Sequence, residues 1–220
     1  MNAVPSSAVP SFLELCKSDV RRWIELWSPP VPTRRAKRWQ AGLKLIFNYC
    51  GLRATLLYRL SHALHRARIP VLPGIVGRWN LMLFGLDIPA SVPFGPGIYI
   101  PHPVGTVVMA KSVGANVTLI SGITIGMRNE LAFPVLGDRV FVGAGARILG
   151  KVVIGSDVNI GANAVVIKDV PDGETAVGVP ATIRARRPAP TPDSTDTASI
   201  VHTNGAHPEP VAEHSAGAVV

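Results

Sequence analysis

The chain has 220 residues, of which 47% are hydrophobic and 16% charged, and its formal net charge is +8. This length accommodates one main domain with a small accessory region. The two cysteines, Cys16 and Cys50, lack metal-ligand spacing and exclude a disulfide-rich fold, which fits a reducing cytoplasm. The N-terminus shows no basic region followed by an apolar core, so we expect no signal peptide and a cytoplasmic protein.

The first part of the chain has helical patterning. Ser11 to Trp27 is predicted to form an amphipathic helix, with Ser11 as N-cap and Glu14 completing a capping box. Residues 41–67 have the apolar spacing of one or two further helices, with a break near Gly51. The most apolar stretch, residues 69–89, is interrupted by proline, glycine and arginine, which makes it a poor membrane span; residues 69–86 within it form a short, mostly apolar segment. We expect this segment to cover the open end of the domain that follows.

From Ile88 onward, an apolar residue recurs at nearly every sixth position, and glycine often follows it. The series is Ile88, Phe94, Ile100, Val107, Val113, Leu119, Ile125, Leu136, Val142, Ile148, Ile154, Ile160 and Val166. A six-residue period of this kind predicts a parallel β-helix, whose inward aliphatic residues stack on their equivalents in neighbouring coils. A β-sandwich would instead show a period of two, with turn signals every eight to twelve residues.

After the repeat, residues 170–173 are predicted to form a turn and residues 178–181 a tight exit. The composition then shifts to proline, alanine, threonine and serine, which is typical of a disordered tail. The sequence therefore predicts four parts. They are an arm with one helix (1–36), a helical cap (37–86), a β-helix (87–183) and a disordered tail (184–220).

Two residues of the repeat region have catalytic chemistry, Asp87 and His102, and they lie 15 positions apart. Because a three-sided coil of six-residue steps closes in about 18 residues, these residues can meet on adjacent coils. An aspartate that orients a histidine is the arrangement of a general base with its partner. Purely structural roles also remain open: His102 as a histidine at a corner of the coil, and Asp87 as a residue of a turn or a helix end.

Several motifs carry a family resemblance. They are Gly51–Leu64 (GLRATLLYRLSHAL), Phe84–Ile88, His102 with Gly105–Val108, Thr124–Gly126, Val142–Ala146, Ile148–Gly150, Ile160–Ala162 and Gly178–Ala181. Over about residues 50–183 the chain resembles the serine acetyltransferase family of hexapeptide-repeat acyltransferases, which includes polysaccharide O-acetyltransferase relatives. The resemblance implies a left-handed parallel β-helix and an acyltransferase.

The resemblance also implies a site. His102 would act as general base and Asp87 as its orienting partner in a direct transfer from acetyl-CoA to a hydroxyl, with no metal. A backbone N–H near Gly126 would stabilise the oxyanion. The positions that match CoA-contacting segments of the family are Gly126, Ala144, Gly145, Ala162 and Lys168.

Departures from the family pattern concern the acceptor. Pro101 stands where the family has aspartate, and Ala132-Phe133-Pro134 stands where it has Arg-His-Pro. These changes remove polar contacts to the charged groups of serine, and an unpaired buried charge is costly. Arg128 is a candidate for a new carboxylate contact, whereas Phe133 suits the apolar face of a sugar ring. L-serine and a sugar hydroxyl both remain open, with a slight preference for the sugar.

The family's sites lie between subunits, so the resemblance implies a homotrimer that binds acetyl-CoA and a small hydroxyl-bearing acceptor. The alternative is a non-catalytic hexapeptide scaffold, which Asp87 and His102 argue against. Much of the positive charge lies before Asp87. This excess suits either a polyanionic partner or a solvated surface. We expect no nucleic-acid partner, and peripheral membrane contact through this basic region remains open.

Overall fold

The computed structural model describes residues 10–27, 35–129 and 131–185. Predictions for residues 1–9, for the proline-rich segment 28–34 and for almost all of the tail lie outside these ranges. The described chain begins with four helices and continues as a solenoid of short strands. The helices are α1 Phe12–Trp27, α2 Arg35–Asn48, α3 Cys50–Arg66 and α4 Leu72–Phe84. The division into four parts stays a prediction.

Helix α1 begins at the predicted capping box. The Ser11 N–H donates to the Glu14 carboxylate at 2.7 Å, and the Glu14 N–H donates to Ser11 Oγ at 3.3 Å. Two backbone donors of the first turn are therefore satisfied reciprocally. The buried side of α1 includes one charged residue; it comprises Leu15, Asp19, Trp23 and Ile24.

The predicted second helical region is two helices, interrupted at Tyr49 rather than at Gly51. Gly51 lies in the first turn of α3, packed against the backbone of Ile100 and Pro101. A side chain at this position would overlap the Ile100 carbonyl oxygen, so glycine permits the close approach of α3 to the first coil.

Helix α3 contributes to the cover at the end of the solenoid alongside the predicted segment 69–86, whose last residue, Leu86, is fully buried in the solenoid core. Ala54 and Tyr58 of α3 belong to the same buried cluster as the solenoid core, and Phe84 only packs against its edge. Residues 72–84 form α4, whose buried residues are Pro73, Val76 and Asn80. Two side chain–backbone bonds join α4 to α3: Ser61 Oγ donates to the Pro73 carbonyl and Asn80 Nδ2 to the Ala54 carbonyl.

The solenoid contains thirteen short strands in the described residues. They are β1 Leu86–Asp87, β2 Thr106–Val108, β3 Ser112–Val113, β4 Thr118–Leu119, β5 Thr124–Gly126, β6 Val135–Leu136, β7 Phe141–Val142, β8 Arg147–Leu149, β9 Val153–Ile154, β10 Asn159–Ile160, β11 Val165–Val166, β12 Thr175–Val177 and β13 Thr182–Arg184. They form three sheets, ordered β1-β2-β5-β8-β11, β3-β6-β9 and β13-β12-β10-β7-β4. We call these faces A, B and C.

All strand pairs on the three faces are parallel except the last, where β13 folds back antiparallel on β12. A regular coil has 18 residues, as in the pairing of Arg147 with Val165. The pairing of Thr124 with Arg147 spans 23 residues, because the loop of residues 127–134 is inserted between faces A and B. The parallel β-helix expected from the six-residue period is therefore present.

The core is the stack of aliphatic residues expected from the sequence, with one correction. Val108 is fully buried and pairs with Ile125, whereas the predicted Val107 is only half-buried. The spacing from Ile100 is therefore eight residues. The turn at residues 101–105 requires this length, and the next step to Val113 shortens to five.

Candidate active site

His102 lies at the corner where the chain passes from face C to face A, which we call the first corner. Its N–H donates to the Ile120 carbonyl on the next coil at 3.3 Å, and its side chain is exposed. Pro101 and Pro103, on either side of His102, are both buried. Proline has a restricted φ, so two prolines limit the conformations available to the backbone at His102.

Below His102, the first corner is lined by small residues. The Gly145 N–H donates to the Ser121 carbonyl, and the Asn163 N–H donates to the Ala144 carbonyl, each at 2.8 Å. Successive corners are thus hydrogen-bonded along the solenoid axis. The predicted CoA-contacting residues Ala144, Gly145 and Ala162 lie in this column, half-buried or exposed. An extended ligand could therefore lie close to the backbone here.

Asp87 lies on face A, immediately beyond the first corner. It is half-buried and pairs with Val107 of the next coil. One backbone bond, from the Gly105 N–H to the Gly85 carbonyl at 3.0 Å, joins the segments that carry His102 and Asp87. Neither side chain makes a hydrogen bond or an ion pair with the rest of the described chain. Catalytic hydrogen bonds are often long in an unliganded enzyme, and the pairing of Asp87 with His102 stays a prediction.

The remaining predicted site residues lie at the second corner, between faces A and B. The Gly126 carbonyl accepts from the Gly150 N–H at 2.8 Å, which places Gly126 at this corner. Arg128 is exposed and Phe133 half-buried on the loop 127–134, and Lys168 is exposed two coils further on. The sequence grouped Gly126 and Lys168 with the first-corner residues, whereas within one subunit the width of face A separates them. Three strand residues span on the order of 10 Å.

An ion pair that sequence reasoning missed holds the first coil in place. The Arg59 guanidinium donates to both Asp19 carboxylate oxygens at 2.8 and 3.1 Å, and to the carbonyls of Phe94 and Gly95. Asp19 also accepts from the N–H groups of Gly97 and Ile98, each at 2.9 Å. Both side chains are fully buried. Burial raises the pKa of Asp19, and the Arg59 pair opposes this rise.

The signal for this pair was present in the sequence. Asp19 lies four residues from Leu15 and four from Trp23, on the apolar side of α1. A charged residue on such a face needs a buried partner. The sequence does not identify the partner, because Arg59 is one of many basic residues in the N-terminal region.

His62 of α3 also contacts the first coil. Its Nδ1 lies 2.7 Å from the Ala90 carbonyl oxygen, and the imidazole is nearly buried. Burial lowers the pKa of His62, the hydrogen bond to Ala90 opposes this, and the nearby Arg59 and Arg66 lower the pKa further. A neutral imidazole that donates from Nδ1 therefore fits this position.

The described residues offer little support for metal binding, for a reactive thiol or for a membrane-spanning helix. Within residues 10–27, 35–129 and 131–185, no cluster of His, Cys, Asp and Glu is arranged to hold a metal ion. Burial raises the pKa of Cys16 to about 11, so its thiol is a poor nucleophile. None of the described helices has the length and apolar character needed to cross a bilayer.

Comparisons with known proteins agree with this architecture. The family model "Bacterial transferase hexapeptide (six repeats)" matches residues 133–168. Serine acetyltransferase of Helicobacter pylori strain J99 is 39% identical over 142 residues, which cover 63% of this chain and 83% of that protein. Soybean serine acetyltransferase complexed with serine has a TM-score of 0.69 at 31% identity, covering 81% of this chain and 72% of the other. A serine acetyltransferase in complex with CoA has a TM-score of 0.67 at 28% identity, covering 81% and 72%.

These relatives confirm the prediction of a left-handed parallel β-helix with N-terminal helices. They also confirm an acyltransferase and give no support to a non-catalytic scaffold. The similarity to the Helicobacter relative covers 83% of that protein at 39% identity. The chain therefore belongs to the serine acetyltransferase family of hexapeptide-repeat acyltransferases.

Proposed function

We propose that the protein transfers the acetyl group of acetyl-CoA to the hydroxyl of L-serine. Relatives named serine acetyltransferase support this acceptor, and structures of relatives with CoA and with serine support both substrates. The relatives reported above give no support to the sugar acceptor that the sequence slightly favoured. The observation that carries the proposal is the exposed His102 at the head of a column of small residues.

In the proposed reaction, the His102 imidazole takes the proton of the serine hydroxyl as its oxygen attacks the thioester carbonyl carbon. The tetrahedral intermediate then collapses, the carbon–sulfur bond breaks, and the imidazolium returns its proton to the CoA thiolate. O-acetylserine and free CoA leave. Asp87 would hold the imidazole in one tautomer and stabilise its cationic form.

Binding of CoA requires contributions from both corners. The small residues Ala144, Gly145 and Ala162 would let the pantetheine arm lie against the first corner. The proposed oxyanion donor, the N–H near Gly126, and the proposed phosphate contact, Lys168, lie at the second corner. We propose a homotrimer in which the second corner of one subunit lies beside the first corner of its neighbour, so that each site is shared.

The same arrangement offers a partner for the carboxylate of the acceptor. Serine has a carboxylate that needs a cationic partner when it leaves water. Arg128 is exposed on the loop 127–134. In the proposed trimer this loop would reach the first corner of a neighbouring subunit, where Arg128 could pair with the carboxylate. Phe133 would then pack against the bound acceptor.

The test is release of CoA thiol from acetyl-CoA with L-serine, using the full chain. We expect His102→Ala to lower kcat by about 100-fold or more, the usual contribution of a general base, with CoA affinity within about twofold. His65→Ala, at an exposed histidine near the end of α3, is the matched control and should be unchanged. Activity retained in His102→Ala would contradict the assignment of the base.

Two further results separate the parts of the proposal. If wild-type protein binds CoA but does not acetylate serine, the acceptor is wrong and sugar hydroxyls become the next substrates to assay. Sedimentation should give three times the 23.3 kDa chain mass. A stable monomer with full activity would contradict the shared site. The cytoplasmic location stays a prediction.

A further inference from the structure

Helix α4 has a row of apolar side chains that are largely exposed in the described chain. This α4 stripe consists of residues that are 40–74% exposed: Leu72, Ile75, Trp79, Met82 and Leu83. At 3.6 residues per turn their positions fall on one side of the helix. The α3 contact uses a different side, formed by Pro73, Val76 and Asn80. Most of the α4–α3 packing is therefore made by other residues than those of the stripe.

The stripe continues into a shallow apolar groove. At the C-terminal end of α4, Leu83 and Phe84 line this groove together with Phe12 of α1 and Leu56, Leu57 and Leu60 of α3. Leu60 and Phe12 are themselves more than one-third exposed. Contiguous apolar surface of this extent is typical of a binding surface rather than of scattered exposed residues.

The segment of the sequence that contains α4 has only positive charges. Between Glu25 and Asp87 the sequence has ten lysines and arginines and no aspartate or glutamate. Three of these cations are exposed close to the stripe. Arg68 precedes α4, Arg78 lies beside the stripe on the helix surface, and the Arg53 guanidinium lies 5.7 Å from the centre of the Phe84 ring.

This charge pattern selects among occupants. A second copy that docked the same face would bring two α4 helices that lack acidic residues against each other, because a two-fold interface uses the same patch on both subunits. An anionic lipid surface is complementary instead: it accepts apolar side chains and attracts the cations at their border. Tryptophan, leucine and methionine on one side of a helix, with arginine at the edge, are typical of helices that lie in the membrane interface.

We propose that the α4 stripe binds the surface of an anionic membrane, with Trp79, Met82 and Leu83 inserted at the headgroup boundary. Arg53, Arg68 and Arg78 contact the lipid phosphates. Each cation near such a surface strengthens binding about fivefold, and salt screens this contribution. The proposal does not depend on the acceptor or on the catalytic residues, because the α4 stripe lies outside both corners.

The test uses the full chain and sedimentation with vesicles. We expect binding to phosphatidylcholine vesicles that contain about 30% phosphatidylglycerol, weaker binding to phosphatidylcholine alone, and release at high salt. The variant Trp79→Ser/Met82→Ser/Leu83→Ser should lower partitioning by about tenfold or more. Arg53→Gln/Arg68→Gln/Arg78→Gln should lower it as strongly and weaken its salt dependence. Leu26→Ser, at a 49% exposed leucine of α1, is the matched control.

Circular dichroism melting and CoA-thiol release verify that each variant is folded. The proposal is overturned if the wild type does not bind anionic vesicles, or if the triple-serine variant binds as the wild type does. It is also overturned if that variant lowers the sedimentation mass while vesicle binding is absent, because the stripe would then be an interface between copies. Binding that is lost only in the stripe and arginine variants supports it.

Discussion

The contact of α3 with the first coil connects the helical region to the proposed general base, and Gly51→Ala tests it. Gly51 lies against the backbone of Ile100 and Pro101, immediately before His102. A methyl group at Gly51 would overlap the Ile100 carbonyl oxygen and lie 2.8 Å from the Pro101 carbonyl oxygen, and distances below 3.0 Å essentially never occur for real Cβ atoms. Either α3 or the segment that carries His102 must therefore move.

The size of both effects follows from this overlap. Overpacking against backbone usually costs about 1–3 kcal/mol in the free energy of unfolding, measured here by chemical denaturation. A displacement of about 1 Å at a catalytic group can lower kcat by about 100-fold, measured by CoA-thiol release. Gly74→Ala is the matched control. Gly74 lies on α4 with nothing within 4 Å of the added methyl, so alanine should raise stability by about 0.5–1 kcal/mol.

Two outcomes would refute the reasoning. If Gly51→Ala changed the unfolding free energy no more than a surface substitution does, about 0.5 kcal/mol, the close contact of α3 with the first coil would be wrong. If stability fell while kcat stayed within about twofold, the packing would stand, but its connection to the position of His102 would not.

Three further predictions concern the helix–coil contacts and the core. Asp19→Ala leaves the Arg59 charge buried without its partner, so unfolding free energy should fall by about 3–5 kcal/mol in denaturant titrations, and a loss below about 1 kcal/mol would contradict a buried pair. His62 has a lowered pKa, so its contribution to stability is complete above the unfolded-state value of 6.5 and is lost as pH falls below it. His62→Gln should flatten that part of the stability–pH curve, and an unchanged slope would refute this assignment. Val108→Ala should lower the free energy of unfolding by about 1–3 kcal/mol and Val107→Ala by clearly less, because only Val108 is fully buried. If thermal melts showed the larger loss for Val107→Ala, Val107 would be the inward residue, as the repeat predicted.

The repeat could be predicted from the sequence because its cause is local and recurs in every coil. Each six-residue step places one aliphatic side chain inward, so Leu136, Val142 and Ile148 indicate the same structure independently. The N-terminus of α1 could also be predicted, since a capping box involves residues only three positions apart. The family resemblance rests on motifs along this same stretch of chain.

Features that depend on contacts between distant residues could not be predicted in the same way. The turn around His102 lengthens one step of the repeat, so the buried residue is Val108 and not Val107. The sequence showed Asp19 on an apolar helix face, but only the packing of α1 and α3 on the first coil selected Arg59 as its partner.

The candidate site also combines features that the sequence could predict with features that depend on the tertiary structure. Sequence alone selected Asp87 and His102 by residue type and by a spacing close to one coil. Only the tertiary structure shows that the proposed CoA contacts lie at two different corners. Gly126 and Gly145, for example, are about one coil apart in the sequence but lie at opposite edges of face A. The period of a solenoid determines which side chains point inward, whereas the position of each corner depends on how every preceding turn and inserted loop is accommodated.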